Sequence, residues 1–318
     1  MTFNRARPDA ESPVLILGSE ECDHVQAVAA AVTERGCEPV IFNTANFPRN
    51  AVISYDPMGD IRLQLGGRRY AMSRFRSVYW RSYHGVDPVR VGQEDVDQLS
   101  LRDARSLLES VMHSDEPVWF NGYRAWAMHK LKPLQLRRVA ELGVPVPETL
   151  LTNDHAQATA FFSSNGPLIH KPVFGGSETG LVTESLMEQH RLKKVFAASP
   201  VTLQRFVKGT NLRTFVIGDT LFSIEIQSDA VDFRADPDHR VAIRETPDRL
   251  RDWSRRICRR LHMLWTAIDW RIDEDGQPYF LEANPSPMFV GVSGKIGLDV
   301  ASILAAKLVH TPALSERG

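Results

Sequence analysis

Cysteine is scarce in this chain. Only Cys22, Cys37 and Cys258 occur in 318 residues, far apart, odd in number and without a Cys-x-x-Cys pair. That pattern argues against a disulfide framework and against a structural zinc site. Long apolar runs are missing too: nothing approaches the ~18 consecutive apolar residues of a membrane-spanning helix, and the opening MTFNRARPDAESP has no hydrophobic secretion segment. Membrane anchoring and export are not expected, and the cytoplasm is the expected compartment. Net charge nearly vanishes, at −1 from 38 Lys plus Arg against 39 Asp plus Glu, so no global attraction to nucleic acid is expected. Three nucleotide motifs are absent as well. The loop GSEECDH after the first apolar run lacks Gly-x-Gly-x-x-Gly, there is no Gly-x-x-x-x-Gly-Lys-Ser/Thr run, and the His-Arg-Asp and Asp-Phe-Gly signals of protein kinases do not occur.

What is present is ordinary globular material, 43% apolar and 24% charged, with room for two or three lobes. VLILG at 14–18, a helical stretch near 23–35 and PVIFNT at 39–44 read as an open α/β beginning. Strand signals flank Gly66-Gly67 and continue in SVYWRSY, followed by a helix around 96–112. RAWAMHKLKPLQLRRVAELG reads as helix, with Pro133 starting its second part or kinking it. Later segments read as a hairpin around Gly218-Asp219, an amphipathic helix near 248–266 carrying Trp253 and Trp265, a loop over FVGVSGKIG, and a closing helix in GLDVASILAAKLV.

The chemistry concentrates late in the chain. IDWRI at 268–272 and YFLEANP at 279–285 read as two strands joined by a turn. Strand alternation puts Glu282 and Asn284 on one face and Leu281 and Ala283 on the other, with Asp269 completing the set across the hairpin. Three oxygen donors on adjacent strands suit a hard cation such as Mg²⁺, which commonly bridges protein oxygens and nucleotide phosphates. PLIHKPVFGGSETGLV supplies the other half: Lys171 near a strand end, to neutralise phosphate, and the backbone N–H groups around Gly175, Gly176 and Ser177 as a phosphate flap. Read alone, that turn is better taken as an ordinary exposed loop, and only the downstream Asp269, Glu282 and Asn284 set turns the reading toward phosphate. Gln204 and Arg205 can meet the adenine or ribose edge. Arg213, set among apolar neighbours, needs a partner, which is either a transferring phosphoryl group or an internal acid such as Glu225 across its hairpin. Between Ile61 and Arg81 stand six arginines, at 62, 68, 69, 74, 76 and 81, with no acid among them. They read either as a solvated basic face or as a docking surface for a carboxylate-bearing peptide.

The order of these motifs resembles the ATP-grasp superfamily, specifically the graspetide (microviridin-type) peptide maturases and related carboxylate-amine ligases. The anchors are Trp80-Arg81, the helix with Lys130, Thr152-Asn153-Asp154, Lys171-Pro172, Asn211-Leu212-Arg213, and Asp269 with Glu282-Ala283-Asn284-Pro285, and they span essentially the whole chain. The chain departs from the family in having Gln204-Arg205 where relatives have Gln-Glu, and NPSPMF where microviridin-type maturases have Asn-Pro-Asn-Gly. The resemblance implies mixed α/β and α+β architecture: an ATP-grasp fold with an N-terminal α/β pre-ATP-grasp domain over 1–120, a central lobe over 121–200 and a C-terminal lobe with the metal site over 201–318. It implies ATP and Mg²⁺ as cofactors. Lys130, with Lys132 a close rival, and Lys171 hold the nucleotide, Arg213 and Lys171 serve catalysis, and Asp269, Glu282 and Asn284 bind metal. The implied reaction activates a carboxylate as an acylphosphate and closes an ester or amide bond, in the maturases within a ribosomal precursor peptide. The alternative joins a free amino acid or short peptide to a carboxylate. A precursor peptide met by the Arg62–Arg81 region is the expected partner, with homodimer formation left open and neither nucleic acid nor membrane expected.

Overall fold

A strand covered on both faces has no polar side, and Val14–Leu17 shows this: all four residues of β1 are buried. The structure is a computed structural model that describes residues 12–115, 117–175, 179–184, 195–228, 230, 232–236 and 238–310. It divides into two units, one of Met1–Arg124, Met263–Trp265 and Ser286–Gly318, the other of Ala125–His262 and Thr266–Pro285.

In the first unit α1 (Asp23–Thr33) carries the chain from β1 to β2 (Pro39–Phe42), which pairs parallel with β1. A meander of β3 (Ala51–Tyr55), β4 (Ile61–Leu65) and β5 (Arg68–Ala71) follows as a separate antiparallel sheet. Gly66 and Gly67 turn it with φ of 54° and 78°, values that favour glycine. β6 (Ser77–Trp80) then pairs parallel on the other side of β1, α2 (Glu94–Met112) follows, and β7 (Val118–Phe120) completes the order β2-β1-β6-β7.

The second unit starts within α3 (Tyr123–Lys130). Leu131 interrupts the helix and α4 (Lys132–Ala140) restarts it with Pro133 in its first turn, where the missing N–H costs nothing. β8 (Thr149–Thr152), α5 (His155–Asn165), β9 (Leu168–Pro172), β10 (Gly180–Leu181) and β11 (Val201–Arg205) build an antiparallel sheet of order β10-β9-β11-β8. Asp154 caps α5, accepting from Ala156 N at 2.8 Å, and the helix covers a core of Ala158, Leu168, Val182, Phe196 and Leu203. β12 (Gly209–Ile217), β13 (Thr220–Gln227) and β14 (Arg240–Arg244) join β15 (Trp265–Asp273) and β16 (Pro278–Asn284) in the order β14-β13-β12-β15-β16. Between β14 and β15, α6 (Asp248–Leu261) buries Leu250, Trp253, Ile257 and Leu261, each contributing about 1.5–3 kcal/mol as an upper estimate. It ends sooner than its apolar pattern predicts. His262 takes a left-handed φ of 58°, and Trp265 therefore opens β15 instead of closing the helix.

The chain then returns to the first unit through α7 (Val290–Ile296) and α8 (Val300–Val309). α8 packs on α1, and Ser77 Oγ donates to Leu308 O at 2.9 Å. The segment from Ser286 onward thus groups with the first unit, where α8 packs on α1. FVGVSGKIG, expected as a loop, is largely α7. Gly291 and Gly294 weaken its helix signal, while buried Phe289 anchors the segment edge-on against His24 at 4.7 Å.

Candidate active site

The oxygen donors are placed by strand register. Asp269 stands opposite Glu282 and Ala267 opposite Asn284, but the next pair is Trp270 with Phe280, so β16 carries one extra residue, Leu281. This bulge breaks the expected alternation. Leu281 turns to the same cavity as Glu282 and Asn284, while Ala283 keeps its place in the core. The cavity, about 330 Å³, is lined by both sheets of the second unit and gathers Lys171, Gly175, Gln204, Arg205, Arg213, Asp269, Glu282 and Asn284. Gly176 and Ser177 lie outside the described residues.

Each charged group has a defined partner. Arg213 grips Asp269 through two parallel bonds, Nε to Oδ1 at 2.6 Å and Nη2 to Oδ2 at 2.9 Å, with both side chains 18% exposed. Glu225 is not its partner. Register sets Glu225 opposite Leu212, and it binds Arg244 at 2.8 Å instead. Lys171 donates to Gln204 Oε1 at 3.1 Å, and Gln204, fully buried, donates to Thr149 Oγ1 at 2.8 Å. Arg205 pairs with Glu148 and lies over the Tyr279 ring at 5.3 Å.

Glu282 pairs with Lys132, whose Nζ also lies 3.4 Å from His129 Nδ1. Burial pushes the Glu282 carboxyl up, but Lys132, His129 and Lys171 outweigh it and hold the group at about 2. Burial, reinforced by Lys132, moves His129 down and favours the neutral imidazole. Lys130 is placed differently: its Nζ sits 3.4 Å from the Trp126 ring centroid and 5.8 Å from that of Phe174, and it is not among the residues lining the cavity. Lys132 lines it, close to Gly175, where an added Cβ would meet Lys132 Cε at 3.8 Å.

Sequence reasoning missed the support behind these groups. Gln135, buried on α4, reads the free edge of β16 like a strand, donating to Ala283 O at 3.0 Å and accepting from Ala283 N at 2.8 Å. It pins the backbone between Glu282 and Asn284. Asp232 and Arg271 also line the cavity without any local motif announcing them.

The donor set fits Mg²⁺. Two carboxylates and an amide oxygen make too small a cage to enclose a cation, and no group of three His, Cys, Asp or Glu suited to a metal occurs among the described residues. An ion that keeps waters and takes phosphate oxygens is the one such a set suits.

The basic segment of the first unit is less uniform in space than in sequence. Arg62, Arg68, Arg69 and Arg74 are exposed, but Arg68 pairs with Glu38. Arg81 turns inward, donating from Nη1 to Ser286 O and Oγ, each at 2.7 Å. No helix among the described residues is long and apolar enough to cross a membrane.

The RimK-like ATP-grasp domain profile matches residues 127–308. The fold is similar to that of the ATP-grasp ligase PsnB complexed with a phosphomimetic variant of a minimal precursor, Mg and ADP: TM-score 0.81, 28% identity, covering 95% of this chain and 99% of that one. It is also similar in fold to the macrocyclase MdnC bound with precursor peptide MdnA from Microcystis aeruginosa MRC, with TM-score 0.80 and 20% identity, covering 94% of this chain and 100% of that one. A D-alanine--D-alanine ligase of Nitrosospira multiformis is 28% identical over 179 residues, 51% of this chain, which thus spans only 58% of that protein. The chain belongs to the RimK-like ATP-grasp family.

Proposed function

We propose that this chain is an ATP-dependent ligase that activates a carboxylate of a ribosomally made precursor peptide as an acylphosphate and closes an ester or amide bond between that peptide's side chains. The observation that carries this reading is the extent of the likeness. It runs over 95% of the chain, through both units, to a ligase complexed with a minimal precursor, whereas the match to the amino-acid ligase covers 179 residues.

In this reading Asp269, Glu282 and Asn284 hold Mg²⁺, which supplies charge neutralisation on the phosphates. Lys171 faces the nucleotide phosphates, with Gly175 beside it on the cavity wall. Lys132 shares that role with Lys130 in reserve, and Gln204 with Arg205 borders the nucleoside. A substrate carboxylate oxygen attacks the terminal phosphorus of ATP and ADP leaves. Arg213, already on the cavity wall, offsets charge on the transferring group. A hydroxyl or amine of the same peptide then attacks the acyl carbon and phosphate departs, so the peptide loses one water overall. The peptide is bound in part through the Arg62–Arg81 region, and the reaction takes place in the cytoplasm.

The match to a D-alanine--D-alanine ligase favours one second reading, addition of a free amino acid to a carboxylate. Mass spectrometry of a genome-neighbour precursor incubated with ATP and Mg²⁺ separates the two. Loss of one water per bond supports cyclisation, and gain of an amino-acid residue with no water loss from the peptide alone overturns it.

A further inference from the structure

Arg271 stands on β15 one residue beyond Trp270, so it shares the cavity face with Asp269, roughly 7 Å further along the strand. Its Nε donates to Val207 O at 2.8 Å and its Nη1 to Asn211 Oδ1 at 2.9 Å, and its guanidinium lies 5.6 Å from the Phe206 ring centroid. No carboxylate pairs with it among the described residues, in contrast to Arg213 and Arg205 in the same cavity. Burial lowers its affinity for the proton and no neighbouring acid restores it. The place is built. Gly209 opens β12 where any Cβ would run into Ile272 O at 1.8 Å, so the strand start is pressed against β15 and Asn211 arrives beside Arg271.

A guanidinium only donates hydrogen bonds, and a half-buried one with no acid needs acceptors from elsewhere. Asn211 has its carbonyl oxygen committed to Arg271, which leaves its amide NH₂ as a second donor on the same wall. The candidate phosphate groups lie toward Asp269, where Lys132, Lys171 and Arg213 converge. One step along the strand from a nucleotide's phosphates comes its sugar, whose neighbouring hydroxyl oxygens are acceptors. Resting on the nucleotide site of the proposed function, we infer that Arg271, positioned by Asn211 and Val207, binds the ribose hydroxyls and makes the site selective for ribonucleotides.

Binding of ADP, 2′-deoxy-ADP and 3′-deoxy-ADP to the full chain with Mg²⁺, followed by calorimetry, tests this. The wild type is expected to bind ADP at least ~10-fold more tightly than one of the deoxy forms, the size of one charge-assisted hydrogen bond. Arg271→Met keeps the stem and loses the donors, and it is expected to bind all three nucleotides alike. Arg271→Lys should restore part of the preference. In turnover the Met variant should raise KM for ATP with little change in kcat. A melting curve without nucleotide checks that the variant is folded; if it is not, the wild-type comparison decides alone. Equal wild-type affinity for the three nucleotides, or undiminished discrimination in folded Arg271→Met, overturns the inference and leaves the ligase reading intact. Absence of ADP binding sinks both.

Discussion

Arg213 and Asp269 are joined by two parallel hydrogen bonds on the cavity wall, and both are assigned chemical roles, so they must be separated experimentally. Arg213→Ala should lower kcat by roughly 30- to 1000-fold, corresponding to ~2–4 kcal/mol of lost transition-state stabilisation. It also strands the Asp269 carboxylate. Arg213→Ala combined with Asp269→Asn relieves that stranded charge, and because Asp269 is itself assigned to the metal the reference is Asp269→Asn alone: a purely structural Arg213 predicts that the double variant turns over as fast as that single variant. The assigned role predicts recovered stability with a further loss of rate below Asp269→Asn, as read by denaturant melts beside steady-state kinetics.

Glu282 gives a pH signature. Lys132, His129 and Lys171 outweigh its burial and hold its carboxyl well below the usual 4.5, at about 2. A depressed acid stabilises the fold above its unfolded value and loses that contribution as pH falls through the folded one. Wild-type stability should therefore decline between about pH 4.5 and 2, and in Glu282→Gln that decline should be shallower. The Gln variant should also need more Mg²⁺ for half-maximal turnover. An unchanged Mg²⁺ requirement removes Glu282 from the metal set.

At the level of elements, β16 is an edge strand held by a side chain from α4. Replacing Gln135 with Met leaves the Ala283 N–H without its side-chain partner, while the C=O keeps the contact with His129 Nδ1 at 3.3 Å, so a loss of ~1–3 kcal/mol is expected. Lower thermal stability together with a raised Mg²⁺ requirement is expected, since Glu282 and Asn284 flank the loosened residue; a stability loss with normal Mg²⁺ dependence would limit Gln135 to packing. Such tertiary supports explain what the sequence could and could not disclose. Period and turn signals located β12 and β13 about Gly218, the restart of the helix at Pro133, and the hairpin carrying Asp269 and Glu282, because those depend on neighbours a few residues away. Leu281 misled because a bulge is a property of pairing, not of one strand's pattern. Glu225 misled for a similar reason: it lies across the hairpin from Arg213, but register gives it to the other face, and Asp269 arrives from 56 residues away. Arg271 belongs to no local motif, and its meaning depends on Val207 and Asn211 being brought beside it.

For the whole molecule, the account assigns substrate capture to the first unit and chemistry to the second. Arg62 and Arg69 are exposed on the β3–β5 sheet. Changing both to Gln should weaken precursor binding and its salt sensitivity, while ADP affinity stays within about twofold, because neither residue lines the cavity. Unaltered peptide affinity at low salt would return that face to ordinary solvated surface.

In the proposed reaction ATP activates a peptide carboxylate through an acylphosphate in the cavity lined by Lys171, Arg213 and Glu282. Labelling the precursor's side-chain carboxylates with heavy oxygen and following the label through one turnover puts that step to the test. The account predicts that each bond formed transfers one labelled oxygen to inorganic phosphate, with ADP unlabelled. Label appearing in AMP, or phosphate released without label while the peptide is cyclised, would contradict it.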